Sequence, residues 1–278
     1  MIPRDFIIEW QSAAPWKSDA QVEQDLVISR AIVEIFSSDI CKAKLAFRGG
    51  TALHKLHLAT PLRYSEDLDF VQREPEGIGK TFDAIRSVLD PWLGEPRREL
   101  KEGLVKLLYR FETEGGLKSK LKVEINSREH FAARELVTVP FEVRSRWFAG
   151  KSEVVVLALP WLLGSKLRAL YQRRKGRDLF DLAVVMQQGL ITPEQIAKSF
   201  VAHLSAAGQS VSRAEIEENL YYKIQDQIFL ADILPLLSGS ASDFNLPEAC
   251  DYITRSLVSK IPGEPWKGVE PKGKRRKR

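Results

Sequence analysis

Apolar residues along the chain are spaced first as a mixture of helices and strands and then, after Pro160, as helices alone. Behind Ser18 they recur at helical spacing, which predicts a capped amphipathic helix. Further helices are predicted at 51–58 and 78–93. Short apolar or alternating runs predict strands at 44–47, 68–71, 104–112, 121–125, 136–143 and 154–157.

The second half of the chain carries several helix-start signals. Apolar periodicity predicts helices at 161–173 and 179–188, and Thr192 opens a capping box with proline at the first helical position. Ser212 is predicted to open a long helix through Ile228, and another capped segment is expected near Asn245. The predicted fold class is α+β, with a mixed-sheet lobe at 1–158, a helical lobe at 159–266 and a disordered basic tail at 267–278.

Composition sets limits on function. The chain has 278 residues, 44% of them hydrophobic, and no apolar run approaches the ~20 residues that a membrane helix needs. Two distant cysteines and the lack of a signal-peptide pattern indicate a reducing cytoplasm. The net charge of +5 comes from six positive residues in 271–278. This tail either binds nucleic acid through phosphates, or is a solvated end, or derives from a vector.

The most informative motif is Arg48-Gly49-Gly50-Thr51, followed by Arg63-Tyr64-Ser65-Glu66-Asp67-Leu68-Asp69-Phe70. Glycines between a strand and a helix let a phosphate approach the backbone. On a strand, residues two apart share a face, so the two aspartates should project together while Leu68 and Phe70 enter the core. Paired carboxylates suit Mg²⁺ or Mn²⁺ with a nucleoside triphosphate (NTP).

Other acidic and basic residues allow two interpretations each. Glu124, on another strand, is either a third metal ligand or base, or a cross-strand partner of a basic residue such as Arg110. Lys166 either extends to the surface or neutralises a triphosphate. Asp178 either caps the helix that follows it or belongs to the site. Asp181 should share its helix face.

Three decoys are set aside. The segment Gly77-Ile78-Gly79-Lys80-Thr81 lacks the first glycine of a phosphate-binding P-loop, because that position is Glu74. His54 and His57 have no third zinc ligand at suitable spacing. The two cysteines have no histidine near them in sequence, so nothing indicates a nucleophilic thiol.

Taken together, these motifs resemble the AbiEii/AbiGii toxin family of nucleotidyltransferases, within the polymerase-β-like superfamily. The resemblance covers roughly residues 25–190 and includes the segments 47–53, 63–70, 166–170 and 177–181. It implies these roles: Gly49, Gly50 and Thr51 bind the triphosphate, Asp67 and Asp69 bind the metal, Lys166 contacts the nucleotide, and Asp178 is essential for activity. We add Arg48 and Ser65, which lie beside these residues in sequence, and Arg63 as candidates to bind the nucleotide.

The resemblance also implies a biological role. Members of the family are toxins of toxin–antitoxin or phage-defence systems, and those with known activity add nucleotides to tRNA and block translation. We therefore expect an NTP substrate, an RNA acceptor such as tRNA, a cognate antitoxin and no membrane partner. Two alternatives stay open: nucleotidylation of a protein hydroxyl, with Tyr64 and Ser65 as self-modification sites, or a non-catalytic nucleic-acid-binding module.

Overall fold

A computed structural model describes residues 2–133 and 135–268 of the chain. The basic residues 269–278, most of the predicted tail, lie outside the described residues. The helices are α1 Arg4–Trp10, α2 Asp19–Ser37, α3 Asp39–Lys44, α4 Gly49–Ala52, α5 Gly79–Leu93, α6 Leu159–Gln172, α7 Gly176–Gln187, α8 Pro193–Ala206, α9 Arg213–Lys223, α10 Gln227–Ala231 and α11 Leu246–Ser256. The strands are β1 Leu45–Arg48, β2 Asp67–Gln72, β3 Arg97–Lys101, β4 Leu104–Glu112, β5 Lys118–Asn126, β6 Leu136–Arg144 and β7 Ala149–Leu157.

All seven strands form one mixed sheet in the order β3-β4-β5-β2-β1-β7-β6. Strand β2 runs antiparallel to β1 and parallel to β5, so it lies inside the sheet. The described chain divides into two compact units: Met1–Leu162 with Leu236–Phe244, and Leu163–Pro235 with the chain from Asn245 onward. The predicted α+β fold class is confirmed, while the predicted lobe boundaries stay predictions.

The core of the first unit forms between α2 and the sheet. Phe47 of β1 stacks on Phe70 of β2 with 5.1 Å between ring centroids, and Phe36 of α2 lies 5.9 Å from Phe70. Each of these buried rings contributes about 1.5–3 kcal/mol through the hydrophobic effect. The buried rings fix one face of β2 against α2 and leave the opposite face for polar residues.

The core of the second unit surrounds α7. Nine consecutive residues of this helix, Asp178 to Met186, are buried, including Phe180. Phe200 of α8 and Ile253 of α11 are buried as well. A helix that is buried on all sides must satisfy any polar group it carries, which bears directly on its two aspartates.

The sequence patterns were wrong at three places. The helix predicted from Ser212 to Ile228 ends at Lys223, and Asp226 caps the separate helix α10 through the Ile228 amide. The charged strand β3 was not predicted, because an exposed edge strand needs no apolar alternation. The helical spacing predicted behind Ser18 includes Ile40, but Ile40 lies in the separate helix α3, because Ser38 ends α2 and caps α3.

Candidate active site

The two aspartates of β2 share one face of the sheet, as predicted. Leu68 and Phe70 are buried on the opposite face, and Asp67 and Asp69 are half-buried. In the strand register, Asp69 lies opposite Glu124 of β5. The carboxylates therefore meet on a partly accessible sheet surface.

The glycine turn after β1 packs directly against Asp69. Gly49 adopts a positive φ of 83°, and a Cβ atom built there would lie 2.5 Å from Asp69 Oδ2. A Cβ at Gly50 would overlap the guanidinium of Arg63 and the hydroxyl of Ser65. A larger residue at either position would displace side chains of the site, and the positive φ of Gly49 also favours glycine there.

Thr51 and Ser65 connect this turn to the start of β2. The Thr51 hydroxyl donates a hydrogen bond to the Asp67 backbone carbonyl at 2.6 Å and lies 2.9 Å from the Ser65 hydroxyl. Thr51 is buried, so in this structure its hydroxyl positions β2. Binding of the triphosphate by Thr51 and Ser65 stays a prediction.

Two arginines that we considered as phosphate ligands are engaged within the protein. Arg63 is only 2% exposed, and its Nη1 donates to the Tyr64 carbonyl at 3.0 Å. Arg48, opposite Asp69 in the register, forms an ion pair with Glu129 at 3.1 Å. Glu129 was not predicted as a partner of Arg48, because no sequence spacing links it to β1. Tyr64 is buried, which argues against self-modification at its hydroxyl.

Two lysines complete the carboxylate face. Lys122 Nζ lies 2.8 Å from Asp67 Oδ2 and 3.6 Å from Glu124 Oε2, and Lys106 Nζ lies 2.9 Å from Glu124 Oε2. The expectation of a basic cross-strand partner for Glu124 is confirmed, but the suggested partner was wrong. Arg110 lies opposite Lys120, and Lys106 lies opposite Glu124.

The charges on this face shift two pKa values. Burial, and then the nearby charge of Asp67, raises the pKa of Asp69 from 3.8 to about 6. Burial lowers the pKa of Lys122, but its hydrogen bond to Asp67 and the charges of Asp67, Asp69 and Glu124 outweigh that effect and raise it. The two lysines therefore do not fully neutralise the three carboxylates. The remaining negative charge stabilises the protonated form of Lys122.

The donor set fits a divalent metal held by two carboxylates. Mg²⁺ is commonly bound by one or two carboxylates, with substrate phosphates and water filling its other positions. Repulsion from Asp67 helps to raise the pKa of Asp69, and a bound cation would offset that repulsion. Within residues 2–133 and 135–268, no three histidine, cysteine, aspartate or glutamate side chains converge as a metal site. Glu124 as a third ligand therefore stays a prediction.

The second set of predicted site residues forms a buried ion cluster in the helical unit. Lys166 of α6 is 5% exposed, with its Nζ 2.5 Å from Asp181 Oδ2 and 3.5 Å from Asp178 Oδ1. Arg173 binds Asp178 through two hydrogen bonds of 2.7 and 2.8 Å. Asp178 and Asp181 share a helix face, as predicted.

Two structural expectations for this cluster were wrong. Lys166 does not extend to the surface, because two buried carboxylates hold its ammonium inside. Asp178 is not a helix cap. The helix begins at Gly176, and Lys175 occupies the capping position without a side-chain hydrogen bond. The proposed contact of Lys166 with the nucleotide and the essential role of Asp178 stay predictions.

Lys223 is a buried residue of this unit that sequence reasoning missed. Its ammonium donates to the carbonyl of Tyr171 at 2.9 Å and to that of Leu170, near the C-terminal end of α6. Burial lowers its pKa to about 8, although the nearby Asp178 opposes the shift. In sequence it is one exposed-looking lysine on a polar helix, so no local pattern could have identified it.

The basic segment at 173–177 is largely neutralised in the structure. Arg174 pairs with Asp226, while Lys175 and Arg177 both pair with Asp232. The exposed partners contribute little to stability, about 0–1 kcal/mol for each pair. These pairs nevertheless mean that the segment offers RNA less free positive charge than its sequence suggested.

The cysteines do not form a reactive site. Cys41 and Cys250 are buried free thiols, and burial raises the pKa of each to about 11. His57 lies 3.1 Å from the Leu157 carbonyl through Nε2, which explains its position without a metal. Across the described residues, no helix has both the length and the apolar character for a membrane crossing.

Comparisons with solved structures support the fold. The structure of MenT4, nucleotidyltransferase toxin Rv2826c from Mycobacterium tuberculosis, is similar with a TM-score of 0.66 and 17% identity, covering 94% of this chain and 91% of that one. The structure of JHP933 from Helicobacter pylori is similar with a TM-score of 0.52 and 19% identity, covering 87% and 91%. At these identities the likeness shows a shared fold. No curated protein sequence matches the chain.

The family model described as nucleotidyl transferase AbiEii toxin of a type IV toxin–antitoxin system matches residues 30–254, which is most of the chain. That match spans the glycine turn, the aspartate pair and the buried ion cluster. The family implies a nucleotide substrate and an antitoxin. The chain therefore belongs to the AbiEii family of toxin–antitoxin nucleotidyltransferases.

Proposed function

We propose that this enzyme transfers a nucleoside monophosphate from an NTP to the 3′ end of an RNA, specifically tRNA, in the cytoplasm. The added nucleotide would block aminoacylation and so halt translation, either as a toxin or in defence against phage. The observation that supports this most is the pair Asp67 and Asp69, which share an accessible face next to a glycine turn.

The chain would contribute mainly positioning and charge. The glycine turn lies against Asp69, so a triphosphate bound there would lie next to the carboxylates. Lys122 holds Asp67 from the neighbouring strand, and Thr51 fixes the backbone where β2 begins. When bound at Asp67 and Asp69, Mg²⁺ or Mn²⁺ would neutralise the triphosphate and activate the attacking hydroxyl.

Roles for the remaining candidates follow from the family resemblance. Lys166 would contact the nucleotide, and Asp178 would support it through the ion cluster that both residues form. Glu124 would complete the metal site or hold Lys106 and Lys122 in place. Arg48, Gly50 and Ser65 would surround the phosphates.

The experiment is an incubation of the purified protein with each labelled NTP, Mg²⁺ and total tRNA. We expect label on tRNA from at least one NTP, and its loss with Asp67→Asn. The matched control is Asp83→Asn, an exposed aspartate of α5, which should retain full activity. Label on protein alone would identify a protein acceptor and overturn the RNA proposal, and no label with any NTP would overturn it as well.

A further inference from the structure

The sheet face that carries the aspartates continues onto β4 and β5 as a row of basic residues. Lys122 lies opposite Asp67 in the register, and Lys120 and Lys118 follow at alternate positions of β5. Arg110 of β4 lies opposite Lys120. We call Arg110, Lys118 and Lys120 the basic strip. Alternate residues of a strand face the same way, so the strip and the aspartates share one surface.

Burial on the other face confirms this orientation. Tyr109 and Phe111 of β4 and Leu121 and Val123 of β5 are buried in the core. Arg110 lies between Tyr109 and Phe111, Lys120 directly precedes Leu121, and all three strip residues are exposed. Lys118 and Lys120 project toward solvent about 6–7 Å apart along β5.

The strip residues differ from the lysines nearer the aspartates in whether they form ion pairs. Lys106 and Lys122 are neutralised by Glu124 and Asp67. In the described part of the chain, Arg110, Lys118 and Lys120 form no ion pair with a carboxylate. Their three positive charges are opposed by the Glu112 carboxylate, which lies opposite Lys118 in the register, and the remaining charge is available to an external anion.

A cleft lies along the strip. It has a volume of about 750 Å³ and is lined by Gln24, Glu66, Arg110, Glu112, Lys118 and Lys120. Glu66, one of the lining residues, directly precedes Asp67 in the chain. Gln24 fixes this end of β5, because its side chain donates to the Lys120 carbonyl at 2.9 Å and accepts from the Ser119 hydroxyl at 2.8 Å.

We propose that the basic strip binds the phosphate backbone of the RNA acceptor strand and directs its 3′ end to Asp67 and Asp69. This inference rests on the proposed RNA-directed activity. The strand order separates the strip from the glycine turn. The turn follows β1 on one side of β2, and the strip extends from β5 on the other side. An NTP at the turn and an RNA along the strip would thus approach the aspartates from opposite sides.

The test removes three charges at once, in the variant Arg110→Gln, Lys118→Gln and Lys120→Gln. Binding of a fluorescent single-stranded 12-nucleotide RNA is measured over a range of salt concentrations. We expect the slope of log affinity against log salt to fall by about 2, since each lost phosphate contact on a single strand removes about 0.7. The KM for tRNA should rise, while the KM for the NTP should not change.

The matched control is Lys80→Gln with Lys151→Gln, two exposed lysines of the same unit that lie off the strip. This variant should keep the wild-type slope, and thermal melting should show that both variants are folded. One outcome would overturn the proposal that the strip binds RNA while leaving the proposed function intact. In it, the wild-type protein labels tRNA, but the strip variant has an unchanged slope and an unchanged KM for tRNA.

Two further outcomes would also be decisive. Wild-type protein that labels no RNA would overturn the proposed function and the strip with it. A strip variant that binds RNA normally but loses inhibition by the antitoxin would assign the strip to a protein partner, and so would overturn the inference as well.

Discussion

Two carboxylate clusters with similar residue types behave differently in this protein. On the sheet face, Asp67, Asp69 and Glu124 are half-buried with two lysines for three carboxylates. In the helical unit, Asp178 and Asp181 are fully buried with one lysine and one arginine. The first cluster has negative charge to spare, whereas each carboxylate of the second has at least one cationic partner.

This difference separates a site that is prepared for a ligand from a cluster whose members, whatever they contact, also stabilise the fold. Burial, and then the nearby charge of Asp67, raises the pKa of Asp69, and the surplus negative charge of this face favours a cation. A buried cluster of paired charges resists the loss of any member, because removing one partner leaves a charge uncompensated in the interior. We therefore expect substitutions in the first cluster to change activity, and substitutions in the second to change stability first.

The largest effect is expected at the aspartate pair. Asp67→Asn should lower the rate of nucleotide transfer by at least about 10³-fold, equivalent to about 4 kcal/mol in activation free energy. Its stability should change by about 1 kcal/mol or less, because the pair with Lys122 is partly exposed. Labelled-NTP transfer and urea unfolding measure the two effects. A folded variant with wild-type activity would show that Asp67 of β2 is not part of the active site.

A comparable effect on stability is expected at the buried cluster. Lys166→Met should lower the free energy of unfolding by about 3–5 kcal/mol, because Asp181 loses its ammonium partner in the interior. The control is Lys198→Met, an exposed lysine of α8. Denaturant titration of both variants measures the effect, and equal midpoints would contradict the comparison. Transfer activity for each folded molecule then tests separately whether Lys166 also contacts the nucleotide.

A smaller effect is expected from relieving the crowded carboxylate. The pKa of Asp69 is about 6 in the folded state against an ordinary value of 3.8, so its ionisation disfavours folding. That cost is absent below pH 3.8, grows as the pH rises through the two values and is complete above about 6. Asp69→Asn should therefore be inactive yet more stable than wild type at pH 7.5, by up to about 3 kcal/mol.

The same variant should lose this advantage in acid. At pH 4 its stability should approach that of wild type, since Asp69 is then protonated in the folded protein. Thermal unfolding at the two pH values, without metal, measures the difference. A variant that is less stable than wild type at pH 7.5 would show that the Asp69 carboxylate is not crowded.

The smallest effect is expected at Glu124, which holds both lysines of the face. Glu124→Gln should lower activity by about 10–100-fold, as is typical of residues that orient a metal site or complete it. Its stability should change by about 1 kcal/mol or less, because its ion pairs with Lys106 and Lys122 are partly exposed. Activity equal to wild type would show that Glu124 is only a cross-strand partner of the lysines and has no role at the metal site.

Features that depend on local periodicity could be predicted from the sequence. The shared face of Asp67 and Asp69 follows from the two-residue repeat of a strand, and that of Asp178 and Asp181 from helix geometry. The capping residues Ser18 and Thr192 were recognised because their hydrogen bonds are local. Each of these inferences needs only a few neighbouring residues.

Features that depend on register or on packing could not be predicted. Lys106, rather than Arg110, partners Glu124, because the pairing of β4 with β5 is fixed by the whole hairpin. The burial of Lys166 depends on two aspartates of the next helix, and that of Lys223 on carbonyls more than 50 residues away. No local pattern in a single sequence reports contacts between residues this far apart in the chain.

The central claim is that Asp67 and Asp69 together hold a divalent cation beside a bound triphosphate. Its most direct test is an NMR titration of the Asp69 carboxyl carbon, first in the free protein and then with Mg²⁺ and a non-hydrolysable NTP analogue. The account predicts a pKa of about 6 in the free protein and below about 4 in the complex. A pKa that stays at about 6 in the presence of both ligands would contradict it.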